Sequence, residues 1–192
     1  MRIGVLAAQG AFVEHIAVLR QLDVDTVPVR LPYQLASLDG LIIPGGESTS
    51  ISKLMVEYNL VSEIKKSIEN GLPILGTCAG MILLAKDVSD SDAESLAVMD
   101  IKVKRNAFGR QKESFETKIS MPVLGEKPFH GIFIRAPIIE EANSGVEILA
   151  KLADGTIVAA RQGNLLAAAF HPELTEDPRF HRYFLDIVAG HH

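Results

Sequence analysis

One cysteine, Cys78, is all that the 192-residue chain contains, so an intrachain disulfide and a cysteine-rich zinc site are both excluded. Cys78 is then either a small buried residue or a nucleophile, and its neighbours decide which. No stretch approaches the roughly 20 apolar residues of a membrane span. The N-terminal run MRIGVLAAQGAF holds one arginine and soon meets Gln9 and Gly10, so it reads as a first strand rather than a signal peptide. Basic charge is not in excess: 19 Lys and Arg stand against 24 Asp and Glu, for a formal net charge of -5. That balance gives no electrostatic footprint for nucleic acid or an anionic membrane, and a cytoplasmic, small-molecule role is expected. Phosphate loops are missing too, since neither G-x-x-x-x-G-K-[ST] nor a G-x-G-x-x-G opening the first helix occurs. No cofactor and no metal is indicated. Repeats, low-complexity tracts and linkers are likewise absent.

What is present is a hydrophobic content of 47%, enough for one sizeable core and too little chain for two ordinary domains. Residues 1–190 are expected to form one domain, with the closing pair His191 and His192 read as a tag remnant. The first hundred residues alternate short β-rich runs with helical patterns, as parallel βαβ units do. Strands are expected at Arg2 to Ala7, Asp25 to Val29, Gly40 to Ile43 and Pro73 to Thr77. Phe12, Ile16 and Leu19, with Val13 and Ala17, mark a first helix, and Leu60, Ile64 and Ile68 mark another that Gly71 ends. From Val98 onward, polar-apolar strands separated by turns suggest an antiparallel or mixed half, closed by a helix from Pro178 to Val188. Asp87 to Glu94 reads as a solvated acidic loop, and His15, His130 and His181 have no chemically suggestive surroundings.

Three segments carry chemistry. Gly76-Thr77-Cys78-Ala79-Gly80 lies where the strand PILGT gives way to the apolar helix AGMILLA. A nucleophile on such a tight turn is held in a strained backbone that only small neighbours permit, at a helix N-terminus that favours thiolate over thiol. A buried, inert cysteine in a glycine-lined turn is the alternative for the pentapeptide alone. His171-Pro172-Glu173 follows the apolar run LLAAAF; in an extended segment residues two apart point the same way, so Glu173 can orient the imidazole of His171 as a general base. Pro44-Gly45-Gly46-Glu47-Ser48-Thr49 follows the third strand, and its adjacent glycines let a backbone amide face a ligand as an oxyanion hole requires. Read alone, it is equally a helix-capping loop with Ser48 or Thr49 as cap. All three follow strands, and open α/β sheets bind ligands beyond the carboxyl ends of their strands.

At these residues the chain resembles the class I, triad-type glutamine amidotransferases, which join a G-x-C-x-G elbow to a distant H-P-E. More narrowly it is similar to the PdxT/SNO family, the glutaminase subunits of pyridoxal 5'-phosphate synthase. The likeness covers AAQGAFVEH from Ala7, LIIPGGEST from Leu41, GTCAGMILLAK from Gly76, RNAFGRQ from Arg105, SFE from Ser114, FIRAP from Phe133 and FHPELTED from Phe170. It implies a flavodoxin-like three-layer α/β sandwich with a mostly parallel central sheet flanked by helices. It implies that Cys78 is the nucleophile, His171 the base and Glu173 its partner, with the amides of Gly46 and Ala79 as oxyanion hole. Glutamine binding then falls to Gly46, Glu47, Ser48, Arg105, Ile134 and Arg135. The implied partner is a (β/α)8-barrel synthase in a large symmetrical hetero-oligomer, which activates the glutaminase. Chemically, an arginine suits the α-carboxylate of glutamine and a glutamate its α-ammonium.

Two other readings compete. The glutaminase subunit of imidazole glycerol phosphate synthase shares the triad, but RNAFGRQ argues against it. A catalytically silent docking module would not need an intact Cys78, His171 and Glu173.

Overall fold

The computed structural model describes residues 1–89, 94–109 and 113–190. The middle of the expected acidic loop (90–93), Arg110 and Gln111 of RNAFGRQ, and the terminal histidine pair lie outside the described residues. Strands β1 (Arg2–Leu6), β2 (Asp25–Val29), β3 (Gly40–Ile43) and β4 (Ile74–Thr77) alternate with helices α1 (Phe12–Gln21), α2 (Ser48–Glu57) and α3 (Leu60–Glu69), and α4 (Ala79–Leu84) follows directly. Then come β5 (Ala85–Ser89), β6 (Met99–Lys104), β7 (Ser114–Ile119), β8 (Phe129–Ile134), β9 (Ile138–Ala142), β10 (Glu147–Lys151), β11 (Ile157–Gln162), β12 (Leu165–Ala168) and α5 (Arg179–Ala189).

The central sheet runs β2-β1-β3-β4-β12-β11-β9-β6-β5, with β10 added beside β11. From β2 through β12 every pairing is parallel. This is the α/β architecture with helices and a largely parallel central sheet that the resemblance implies. β3, β4 and β12 are buried along their whole length, and their runs GLII, ILGT and LLAA are continuous small or apolar residues because both sheet faces are covered. Beyond β12 the ladders with β11, β9 and β6 are antiparallel, as the change of pattern after Val98 suggests.

The chain order reverses at β1, whose neighbours are β2 and β3. Such a switch point leaves a crevice at the carboxyl ends of the strands, because the loops on either side leave in opposite directions. The loops after β1, β3, β4 and β12 all open there. β7 and β8 form a separate antiparallel ribbon. Phe115 stacks on Phe133 at 4.6 Å, and Phe133 meets Phe170 edge-on at 5.9 Å, so the ribbon is anchored beside the residue preceding His171.

Several expectations need correction. Asp87 to Ser89 are not loop but the end of β5, paired in parallel with Lys102 to Lys104; strand geometry takes over at Ala85 with no turn residue to announce it. β9, whose run is IIEEA, has no polar-apolar alternation to announce it. In α1 the buried stripe is His15, Ile16, Val18 and Leu19, whereas Val13 and Ala17 face outward. The closing segment after His171 is a short 3₁₀ turn over Pro172–Leu174 rather than an extended run, since proline suits the first position of such a turn.

Candidate active site

Cys78 sits between β4 and α4 with φ 50° and ψ −104°, a backbone conformation that non-glycine residues rarely adopt. Its amide donates to the Ala168 carbonyl at 2.8 Å, which pins the turn to the end of β12. The flanking glycines make the turn possible through close packing: a Cβ on Gly76 would lie 2.6 Å from the Gly80 carbonyl oxygen, and one on Gly80 would overlap the Ile43 carbonyl oxygen. The elbow predicted from G-x-C-x-G is therefore present, at the mouth of the crevice.

His171 and Glu173 converge there from the end of β12. His171 Nδ1 is 2.6 Å from Glu173 Oε1, and both side chains are nearly buried. A Cβ on Gly45 would fall 2.5 Å from His171 Cε1 and 3.3 Å from Cys78 Cβ, so the imidazole and the cysteine side chain close on one glycine. The His171 amide donates to the Ile132 carbonyl in β8 at 2.8 Å, fixing this residue to the ribbon. Burial alone would lower the His171 pKa. Hydrogen bonding and charge attraction to Cys78 and Glu173 outweigh it and raise the value from 6.5 to about 10. At neutral pH the ring is held as an imidazolium between a sulfur and a carboxylate.

A cavity of about 460 Å3 opens onto this pair. Gly46, Glu47, Ser48, Cys78, Ala79, Arg105, Ile134, Arg135 and His171 all line it, so nine of the ten residues named from the sequence meet at one place. The tenth, Glu173, stands behind His171. Cys78 Sγ lies 3.8 Å from the Ile134 carbonyl oxygen. Among the described residues the buried Ser48 hydroxyl has no hydrogen-bond partner, an arrangement that a bound polar ligand would satisfy. Arg105 Nη2 lies 3.6 Å from Glu47 Oε1 at the rim.

Glu47 has a second duty that the sequence did not reveal. It, and not Ser48 or Thr49, caps α2, accepting from the amides of Thr49 at 3.0 Å and Ser50 at 2.7 Å and from the Ser50 hydroxyl at 2.6 Å. The Ser50 hydroxyl, with these amides, outweighs desolvation and lowers the Glu47 carboxyl pKa to about 2. Gln9 is another residue that sequence reasoning missed. Its Oε1 accepts the Glu47 amide at 2.9 Å, and the Ala11 amide donates to the Gly45 carbonyl at 3.0 Å, so the loop after β1 grips the loop after β3. Its only signal was its position in AAQGAF at the first strand's end. Among the described residues, no group of three or more His, Cys, Asp or Glu is placed to hold a metal, and no helix is long and apolar enough to cross a membrane.

Comparison with known proteins places the chain among relatives of one kind. A family model described as the SNO glutamine amidotransferase family matches residues 5–189. A protein of Herpetosiphon aurantiacus named pyridoxal 5'-phosphate synthase subunit PdxT is 58% identical over 190 residues, covering 97% of this chain and 100% of that one. One of the same name from Moorella thermoacetica is 58% identical over 189 residues, covering 98% and 100%. A crystal structure described as a glutamine amidotransferase superposes with a TM-score of 0.92 at 49% identity, covering 97% of this chain and 98% of that one.

Proposed function

The chain belongs to the SNO glutamine amidotransferase family, and from that membership we propose that Cys78, His171 and Glu173 hydrolyse glutamine to glutamate and ammonia for pyridoxal 5'-phosphate synthesis. The observation that carries the assignment is the strained Cys78 facing a cavity beside an imidazole whose far nitrogen is bound to Glu173.

The chemistry follows from those contacts. The Cys78 sulfur, its proton passed to His171, adds to the side-chain amide carbon of glutamine, and the carbonyl oxygen takes the negative charge. The amides of Gly46 and Ala79, at two edges of the cavity, serve as its donors. Imidazolium at His171 gives its proton to the amide nitrogen, the C–N bond breaks, and ammonia leaves a γ-glutamyl thioester. Neutral His171 then takes a proton from water as the water adds to the thioester carbon, and glutamate departs with the sulfur restored. Glu173 holds the ring orientation and balances its charge throughout. Arg105 or Arg135 takes the α-carboxylate of the substrate, and Glu47, with its carboxylate at the rim, takes the α-ammonium.

The ammonia passes to a synthase subunit, as the names of the relatives imply, and the partner in this reading is a (β/α)8 barrel within a large symmetrical hetero-oligomer in the cytoplasm. Residues 1–190 act as one amidotransferase domain, supported by the family match over residues 5–189. The deciding experiment is Cys78→Ala, assayed for glutamine hydrolysis with the synthase present. Turnover should fall by about four orders of magnitude or more while glutamine binding persists; turnover near that of the unaltered protein would sink the assignment.

A further inference from the structure

Beyond Glu173, on the side away from His171, lies a group of buried polar side chains that the reaction above leaves unused. His15 of α1 and His181 of α5 are both fully buried. His15 Nδ1 lies 2.9 Å from His181 Nε2, and His15 Nε2 lies 3.1 Å from Thr77 Oγ1. The same Nε2 is 3.4 Å from Glu173 Oε2. Among the described residues, Glu173 Oε2 and His181 Nδ1, both buried, have no hydrogen-bond partner.

The proton positions in this group can be worked out. Burial, reinforced by His181 and His171, holds the His15 pKa well below 6.5, and burial lowers that of His181 to about 4. Each ring is neutral at pH 7 and carries one N–H. Two arrangements fit the 2.9 Å contact. If His15 Nδ1 is the donor, His181 keeps its N–H on Nδ1, where nothing accepts it, and His15 Nε2 aims a lone pair at a carboxylate. An orphaned buried donor forfeits its desolvation with nothing in return, and the lone pair facing Glu173 adds repulsion. If His181 Nε2 donates instead, His181 Nδ1 is only a bare lone pair, and His15 Nε2–H points towards Thr77 and Glu173. The second arrangement wins on both counts.

From this geometry we propose that His15 is a positioning residue of the amidotransferase site: its Nε2–H, oriented by His181, donates to the hydroxyl of Thr77 and faces the outer oxygen of Glu173 at 3.4 Å. It thereby couples the carboxylate that orients the base to the residue immediately before the nucleophile. With one oxygen on His171 and the other untethered, a carboxylate can rotate about its last bond. The His15 donor resists that rotation, and any slack would pass directly to His171. This inference rests on the triad assignment above and extends it by a second histidine that never touches the substrate.

Three variants test it in complex with the synthase: His15→Leu, His15→Gln and His181→Leu. Active sites are counted by stoichiometric labelling of Cys78 with a diazoketone analogue of glutamine, so that misfolded protein does not enter the rates. For His15→Leu, kcat per labelled site should drop on the order of 10-fold or more, as losses of supporting contacts commonly do, with KM little changed. Its kcat/KM profile should shift to lower pH, because Glu173 then holds the His171 proton less firmly. His15→Gln, which keeps an N–H donor near the Nε2 position, should recover most of the rate, and His181→Leu should show a smaller loss of the same kind. Nitrogen-15 NMR of the unaltered protein gives an answer independent of folding in the variants: His15 and His181 should both be neutral and protonated at Nε2. A proton on His15 Nδ1 overturns the proposal, as does His15→Leu with unchanged kcat per labelled site and a superimposable pH profile. Failure of the label to react even with the unaltered protein would instead count against the triad.

Discussion

A cysteine at φ 50° stores about 1–3 kcal/mol of backbone strain, and here the surroundings enforce it through the Ala168 hydrogen bond and the two glycines beneath the turn. Gly80→Ala should therefore be among the most damaging single-methyl additions in the chain, since its Cβ would overlap the Ile43 carbonyl oxygen, a backbone atom at the end of a fully buried strand. We expect a loss of about 2–4 kcal/mol in urea unfolding, together with loss of Cys78 labelling. The buried histidines make a second, opposite-signed pair of predictions. His181, lowered to about 4 by burial, stays neutral in the fold while the unfolded chain takes up a proton below about 6.5. Stability must then fall as pH drops from 6.5 towards 4, by a few kcal/mol. His171 works the other way: against the cost of burial, Cys78 and Glu173 raise it to about 10, so its stabilisation is complete below 6.5 and fades as pH rises towards 10. Thermal melts across pH 4 to 10 should show both limbs, and His181→Phe should make the acid one shallower, with the buried His15 keeping part of it.

Among the elements, α2 and the β7–β8 ribbon do the most to shape the cavity. α2 begins at Glu47, whose carboxylate both caps the helix and faces Arg105 across the rim. Glu47→Gln separates these duties, because an amide oxygen can still accept from Thr49 and Ser50 but carries no charge. Melting should change little, whereas Glu47→Ala should cost about 1 kcal/mol through loss of the cap. Both variants should raise the KM for glutamine if the carboxylate meets the substrate ammonium; an unchanged KM would confine Glu47 to capping. The ribbon depends on Phe133, stacked on Phe115 and edge-on to Phe170. Phe133→Ala should cost about 3–5 kcal/mol and weaken glutamine binding as well, because Ile134 and Arg135 follow it directly into the cavity wall.

At the scale of the whole molecule, four loops from one end of the sheet supply the site, and two of them are locked together. The Gly45–Gly46 peptide is oriented by the Ala11 amide, and the Glu47 amide by Gln9, so turning the Gly46 amide means breaking a contact to the loop after β1. A partner that docks over this end can bias that peptide at small cost, and one missing oxyanion donor slows acyl chemistry by about 100 to 1,000-fold. The isolated chain should be a poor glutaminase that the synthase stimulates by a factor of that order, measured at saturating glutamine. Gly46→Val, whose Cβ would lie 2.5 Å from Gln9 Oε1, should suppress the stimulated rate more than glutamine binding. Equal rates with and without synthase would show an oxyanion site already complete in the free subunit.

The sequence by itself determined what local chemistry can encode. Strand-turn-helix around Cys78, proline after His171, and the glycine pair after β3 are each short-range signals, and the burial of GLII, ILGT and LLAA is written in their composition. β5 and β9 were not legible, because Asp87–Ser89 and the run IIEEA become strands by pairing with β6, not by an alternation of their own. The meeting of His171 and Glu173 was foreseen for the wrong local reason: a 3₁₀ turn, not an extended segment, brings them together. Only the tertiary structure could decide the roles of Gln9, His15 and His181. His15 and His181 are 166 residues apart in the chain and 2.9 Å apart in the fold. A histidine on the buried face of a helix looks the same in sequence whether it faces apolar side chains or a catalytic carboxylate, because what it touches is supplied by elements that pack against it from elsewhere in the chain.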